Sequence, residues 1–275
     1  MMNGTNGVAD GEIVLADTAT KLDGARGKLI VTGSHGGRYA AYLTLAAHPR
    51  AVVHNDAGIG KDEAGIAVIA MAEALAVAAA TASHASCRIG DARDMAARGI
   101  ISFVNPSAAA LGVRAHMPCR DAIPRLLAAR PSNRDPEPCG ETRRVLHDAE
   151  WRRRIVLIDS ASLIDAEDAG QIVVTASHGA LVGGEPKMAL RVDAFAAVFS
   201  DAGIGRDEAG VARLAALEAR GIAGLTVSAQ SARIGDAGSV FEDGAISCTN
   251  ATAARRGARV GEPLGERLRA WARLA

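Results

Sequence analysis

Aromatic residues are scarce: four Phe, two Tyr and two Trp make up 3% of a 275-residue chain. Proteins that grip single-stranded nucleic acid stack bases on aromatics, and those that grip duplexes carry a basic excess. Here Lys plus Arg equal Asp plus Glu at 31 each, so no nucleic-acid partner is expected. Cysteine is also sparse. Cys87, Cys119, Cys139 and Cys248 form no CxxC pair, which argues against a structural zinc site or a disulfide scaffold, and neither metal nor cofactor is expected. The Ala-rich run 66–82 follows Asp62 and Glu63 and contains Glu73, so it reads as a helix and a strand, not a membrane span. The opening MMNGTNGVADGE lacks the basic and apolar stretches of a secretory signal, and a cytoplasmic location is expected.

What the chain does have is a near-copy of itself. Asn55-Asp56-Ala57-Gly58-Ile59-Gly60-Lys61-Asp62-Glu63-Ala64-Gly65 returns 145 positions later as Ser200-Asp201-Ala202-Gly203-Ile204-Gly205-Arg206-Asp207-Glu208-Ala209-Gly210. Arg88-Ile89-Gly90-Asp91-Ala92 and Arg233-Ile234-Gly235-Asp236-Ala237 share that offset, as do Asn105 and Asn250. Upstream the offset narrows, pairing Thr32-Gly33-Ser34-His35-Gly36 with Thr175-Ala176-Ser177-His178-Gly179 and Ile13-Val14-Leu15 with Ile155-Val156-Leu157. The expected organisation is one α/β unit at 12–129, an exposed Arg/Pro-rich linker at 130–153, and a second unit at 154–274. A chain that is 49% apolar over this length can bury a core in each.

Within the first unit, apolar runs of strand length at 12–16, 28–32, 51–54, 77–83 and 100–104 alternate with helical stretches at 38–47, 62–75 and 91–97. Alternation of this kind predicts an α/β fold, internally duplicated, with two pseudo-twofold-related domains built on mainly parallel sheets. The repeated motifs all fall just after predicted strands. In a parallel sheet those positions gather at the carboxyl edge, where open α/β folds bind ligands.

The motifs are polar and glycine-rich, which suggests chemistry at that edge. Ser34-His35 and Ser177-His178 set a hydroxyl and an imidazole side by side, although neighbouring side chains on an extended strand point apart. Asp56 and Asp201 are candidates to orient those histidines as general bases. Gly36, Gly58, Gly60, Gly203 and Gly205 allow close backbone approach to a ligand. Lys61 and Arg206 keep a positive charge at one repeated position, so exchanging Lys and Arg there should be tolerated better than alanine. Ser86, Arg88, Asn105, Ser231, Arg233 and Asn250 are further candidates to hold a polar or anionic ligand. Each has a plainer reading: Asp62 and Asp207 as helix caps, Arg88 and Arg233 as partners of Asp91 and Asp236, the glycines as turns. His54, His84 and Cys87 of the first unit face Phe199, Ala229 and Ala232 in the second, so the first is expected to carry more of the chemistry. Cys87, beside Arg88, is a candidate nucleophile of lowered pKa.

The leading expectation is a small-molecule enzyme that hydrolyses an amide-like or cyclic amide bond in an anionic polar metabolite. One alternative is a cofactor-independent isomerase, racemase or lyase using Cys87 or Cys248 with His84. A pair of α/β domains around a cleft resembles the cofactor-independent amino-acid racemases, which use a cysteine from each domain, but Cys87 and Cys248 are not equivalent positions here. The other alternative is a non-catalytic module that binds an anionic ligand. Assembly into a homo-oligomer is compatible with the Ala-rich, repeated chain.

Overall fold

The computed structural model describes residues 11–274. A first sheet holds β1 (Ile13–Ala16), β2 (Leu29–His35), β3 (Ala51–Asn55), β4 (Ala78–Ala82) and β5 (Ile101–Val104), in that spatial order. β1 to β4 run parallel and β5 closes the edge antiparallel. A second sheet begins with β6 (Arg143–Leu146), antiparallel to β7 (Ile155–Ile158). It continues through β8 (Ile172–His178), β9 (Ala196–Ser200) and β10 (Ala223–Val227) in parallel, and β11 (Ile246–Thr249) is again antiparallel. The fold is therefore α/β with two mainly parallel, mixed sheets.

Both faces of each sheet are covered, which is why the strands read as unbroken apolar runs. Leu29, Val31, Ala51, Val53, Ala78 and Ala80 point to one side of the first sheet, and Ile30, Val52 and Ala79 to the other. In the second sheet Ile172, Val174, Ala196 and Val198 oppose Val173, Ala197 and Phe199. With so few aromatics, alanine lets the helices lie close to the strands. Among the described residues no helix is long and apolar enough to cross a membrane.

Because the central strands are parallel, the segments after β2, β3 and β4 emerge at one edge, as do those after β8, β9 and β10. These two edges meet. Gly58 and Gly203 pack backbone to backbone, and a Cβ on Gly58 would lie 2.9 Å from Gly203 Cα. The N–H of Lys61 donates to the Ala229 carbonyl and that of Arg206 to the His84 carbonyl, each at 2.8 Å. Ala57, Ile89, Ala180, Ala202, Ala209 and Ile234 form a small apolar cluster at the seam.

Two expectations need correction. Residues 130–153 are exposed or half-exposed throughout but not a plain connector, since 143–146 form edge strand β6 and Arg143 pairs with the enclosed Asp168 at 2.7 Å. The helix expected at 62–75 is broken into a 3-10 turn, Lys61–Ile66, and a helix, Val68–Ala74. Asp62 and Glu63 sit at φ 54° and 57°, and Asp207 and Glu208 at 56° and 54°; the helices that follow start from Ala67 and Ala212, so neither Asp62 nor Asp207 caps a helix.

Candidate functional site

β2 and β8 each end on Ser-His, and these four side chains line one cavity of about 190 Å3 between the two sheets. Pairing is irregular between Val31 and His35 and again between Val174 and His178. That break in the strand pattern suspends the usual alternation, so Ser and His share the cavity wall instead of opposing each other. The His35 and His178 rings stand edge to face with centroids 6.5 Å apart.

Both imidazoles are held neutral. Burial, with help from His54, lowers the His35 pKa to about 4. Burial followed by the Arg213 charge and His35 pushes His178 well below its ordinary value. The N–H of Gly37 donates to His35 Nδ1 at 3.0 Å, and the N–H of Ala180 donates to His178 Nδ1 at 3.3 Å. A neutral ring that accepts at Nδ1 carries its proton on Nε2. Each histidine is thus set up to donate an N–H. As drawn by these bonds, neither ring is a general base.

The serines are oriented separately from the histidines. Ser34 Oγ accepts from the Ala19 N–H at 2.9 Å, and Ser177 Oγ accepts from the Ala161 N–H at 3.0 Å. Those bonds occupy acceptor lone pairs and leave each hydroxyl proton free.

Asp56 does not orient His35. Its Oδ1 accepts from His84 Nδ1 at 2.8 Å, the His84 N–H at 2.9 Å and the Gly58 N–H at 3.2 Å. The bond to Asp56 is the main reason the His84 pKa is raised. Asp201 likewise accepts from Gly203 and Ala229 N–H groups at 2.9 Å. Both carboxylates therefore fasten the turns at the seam. His54 is enclosed between Thr44 and the His35 carbonyl, supporting the cavity from behind.

The repeated cations are likewise engaged at the seam. Arg233 reaches Asp62 at 2.9 Å and also Asp236, Arg88 contacts Asp91 and Asp94, and Lys61 pairs with Asp243 at 3.0 Å. Arg206 is half-exposed and faces its neighbour Asp207 at 3.5 Å. Asn105 and Asn250 cap helices and hold the starts of β4 and β10, and Ser86 and Ser231 close turns onto Ser83 and Ser228. Gly60 and Gly205 approach Ala229 and His84 across the seam, while Gly36 packs on Val68.

Cys87 is fully buried, and its thiol is pushed up to about 12 by burial, the opposite of activation. Cys248 is also raised by burial. Among the described residues no group of three or more His, Cys, Asp or Glu is arranged to hold a metal.

Several cavity residues escaped the sequence reading. Asp17-Thr18-Ala19-Thr20 and Asp159-Ser160-Ala161-Ser162 continue the offset of Ile13 and Ile155, and they bring hydroxyls to the wall. That extension of the repeat was the available signal. Glu141, from the supposed linker, reaches the same wall; burial raises its pKa, against the pull of hydrogen bonds from Ser160, Ser162 and Tyr39. Tyr39 is raised by burial and by Glu141. No family model matches this chain, and no curated protein or solved structure matches it.

Proposed function

We propose that the chain is an enzyme hydrolysing an amide-like or cyclic amide bond in a small polar metabolite, with one composite site between two domains related by duplication and pseudo-twofold symmetry. The observation that carries this reading is the convergence of Ser34, His35, Ser177 and His178, from separate sheets, on a single cavity. Reciprocal backbone bonds at Lys61 and Arg206 support the duplication.

Two neutral imidazoles whose Nε2 protons are free suit a reaction in which negative charge grows on a carbonyl oxygen. Such donors act most strongly where water is excluded. Ser34, Ser177 or a water molecule supplies the attacking oxygen. Glu141, in the same cavity wall, takes its proton and returns it to the nitrogen as the C–N bond breaks, and where a serine attacks, water then cleaves the acyl ester. The thiol alternative fits less well, since Cys87 is sealed and protonated.

A screen of linear and cyclic amides for ring opening or ammonia release tests the proposal. Both His35→Ala and His178→Ala should lower kcat by about a hundredfold or more, not His35→Ala alone. The binding-module reading is favoured by one observation, that neither serine is bonded to a base. Tight binding of screened compounds without turnover would establish that reading instead.

A further inference from the structure

Arg213 is a buried cation in the cavity wall, with a relative exposure of 5%. Its Nε donates to the Ala180 carbonyl at 2.8 Å and its Nη1 to the Ala189 carbonyl at 2.6 Å. The guanidinium also lies 4.7 Å from the centre of the Phe199 ring. Among the described residues no carboxylate offsets its charge, and Nη2 has no hydrogen-bond partner. Burial alone lowers its pKa to about 10, so it stays charged at neutral pH.

The bonds to Ala180 and Ala189 use Nε and Nη1 and leave Nη2 unassigned. Val68 holds the corresponding place in the first half: its N–H donates to the Gly36 carbonyl at 2.8 Å, as the N–H of Arg213 donates to that of Gly179 at 2.8 Å. Val68 is fully buried in an apolar cluster. A buried guanidinium with no carboxylate beside it is costlier than the aliphatic group of the first half, and a bound anion offsets its charge.

The nearby acids do not supply that anion. Asp159 accepts from the Ala237 N–H at 2.9 Å and the Thr142 N–H at 2.7 Å. Glu141 is turned to hydroxyl groups. We propose that Arg213 holds the carboxylate of a small monoanionic substrate at one end of the cavity. On the hydrolytic reading, the amide of that substrate lies toward His35 and His178, whose Nε2 protons stay available to its carbonyl oxygen.

A carboxylate matches the forked guanidinium and brings one negative charge to one cation. A phosphate dianion would leave a second charge uncompensated beside Asp159 and Glu141. The cavity, at about 190 Å3, is below the roughly 300 to 1,000 Å3 of drug-sized sites, which points to a short molecule.

The test is calorimetric titration of the full chain with succinamate, with its uncharged counterpart succinamide, and with inorganic phosphate. Succinamate should bind about tenfold or more tightly than succinamide, with phosphate weaker than succinamate. Arg213→Gln should abolish that preference and Arg213→Lys should keep part of it. Because Arg213→Gln also loses two bonds to backbone carbonyls, the wild-type comparison decides if that variant fails to fold. Equal binding of the two amides, including no measurable binding of either, overturns the proposal, as does a preference that survives Arg213→Gln. Arg213-dependent binding of succinamate without ammonia release keeps the carboxylate site and removes hydrolysis of this amide. Ammonia release at equal rates from both amides, unchanged in Arg213→Gln, keeps hydrolysis and removes the carboxylate site.

Discussion

His54 is fully enclosed, with Nδ1 3.0 Å from the His35 carbonyl and Nε2 3.0 Å from Thr44 Oγ1. A carbonyl only accepts, so Nδ1 carries a proton, and burial keeps the ring neutral. Burial lowers its pKa to about 4, from about 6.5 in an unfolded chain. Between these values the unfolded chain takes up a proton that the folded one refuses, so stability falls on acidification from about pH 6.5 to about pH 4 and is unaffected by this group above that window. For His54 the loss is on the order of 3 kcal/mol across the window. His84 acts in the opposite sense, because its pKa is raised: its contribution is present at low pH and is lost as pH rises through the folded value. Urea denaturation at pH 7.5 and pH 5 should show a smaller acid loss for His54→Asn than for wild type; equal losses would mean that His54 is not the enclosed neutral group described. Lys61→Ala and Arg206→Ala should each cost less than about 1 kcal/mol and leave turnover unchanged, because both side chains sit in solvent-screened pairs outside the cavity. A collapse of turnover in either variant would restore the anion-holding part first read from their shared charge. The sequence made Ser34, His35, Ser177 and His178 visible because hydroxyl and imidazole recur together. It hid Arg213, whose counterpart is Val68, since a search for shared residues passes over a difference.

At the level of elements, strand and helix order was legible because apolar runs and turn residues alternate at regular lengths. Strands expected at 51–54 and 100–104 appear as Ala51–Asn55 and Ile101–Val104. The segment after β3 was harder to read, because acidic residues before an Ala-rich run resemble a helix start. In fact Ala57, Gly58, Ile59 and Gly60 have φ of 48°, 77°, 65° and 76°, and the same run recurs at Ala202, Gly203, Ile204 and Gly205. Left-handed backbone over consecutive residues, several of them not glycine, is strained and needs outside support. The Gly58 N–H donating to Asp56 and the Lys61 N–H donating to the Ala229 carbonyl provide it, so the motif shapes the seam. Gly58→Ala should therefore be costly, since its φ is left-handed and a Cβ would meet Gly203 Cα at 2.9 Å. The expected loss is about 2 kcal/mol or more, read as a lower urea midpoint. A midpoint within error of wild type would mean the two edges do not meet as described.

Over the whole molecule, the carboxyl edges of the two sheets face one another and share the cavity. The sequence placed the motifs at those edges but assigned the richer chemistry to the first unit, on the strength of His54, His84 and Cys87. Those three support or fasten the structure, whereas the cavity draws a Ser-His pair from each sheet and an acid from 130–153. No one-dimensional spacing could show that two strand ends so far apart in the chain meet across 6.5 Å. Whether His35 and His178 serve one composite site is decided by kcat for His35→Ala, His178→Ala and the double variant on the best amide from the screen. One composite site predicts that each single change lowers kcat about a hundredfold or more, with the double variant falling little further because the two donors act as a unit. Two independent sites would contradict the account: each single variant would keep about half of the wild-type rate, and only the double variant would lose it.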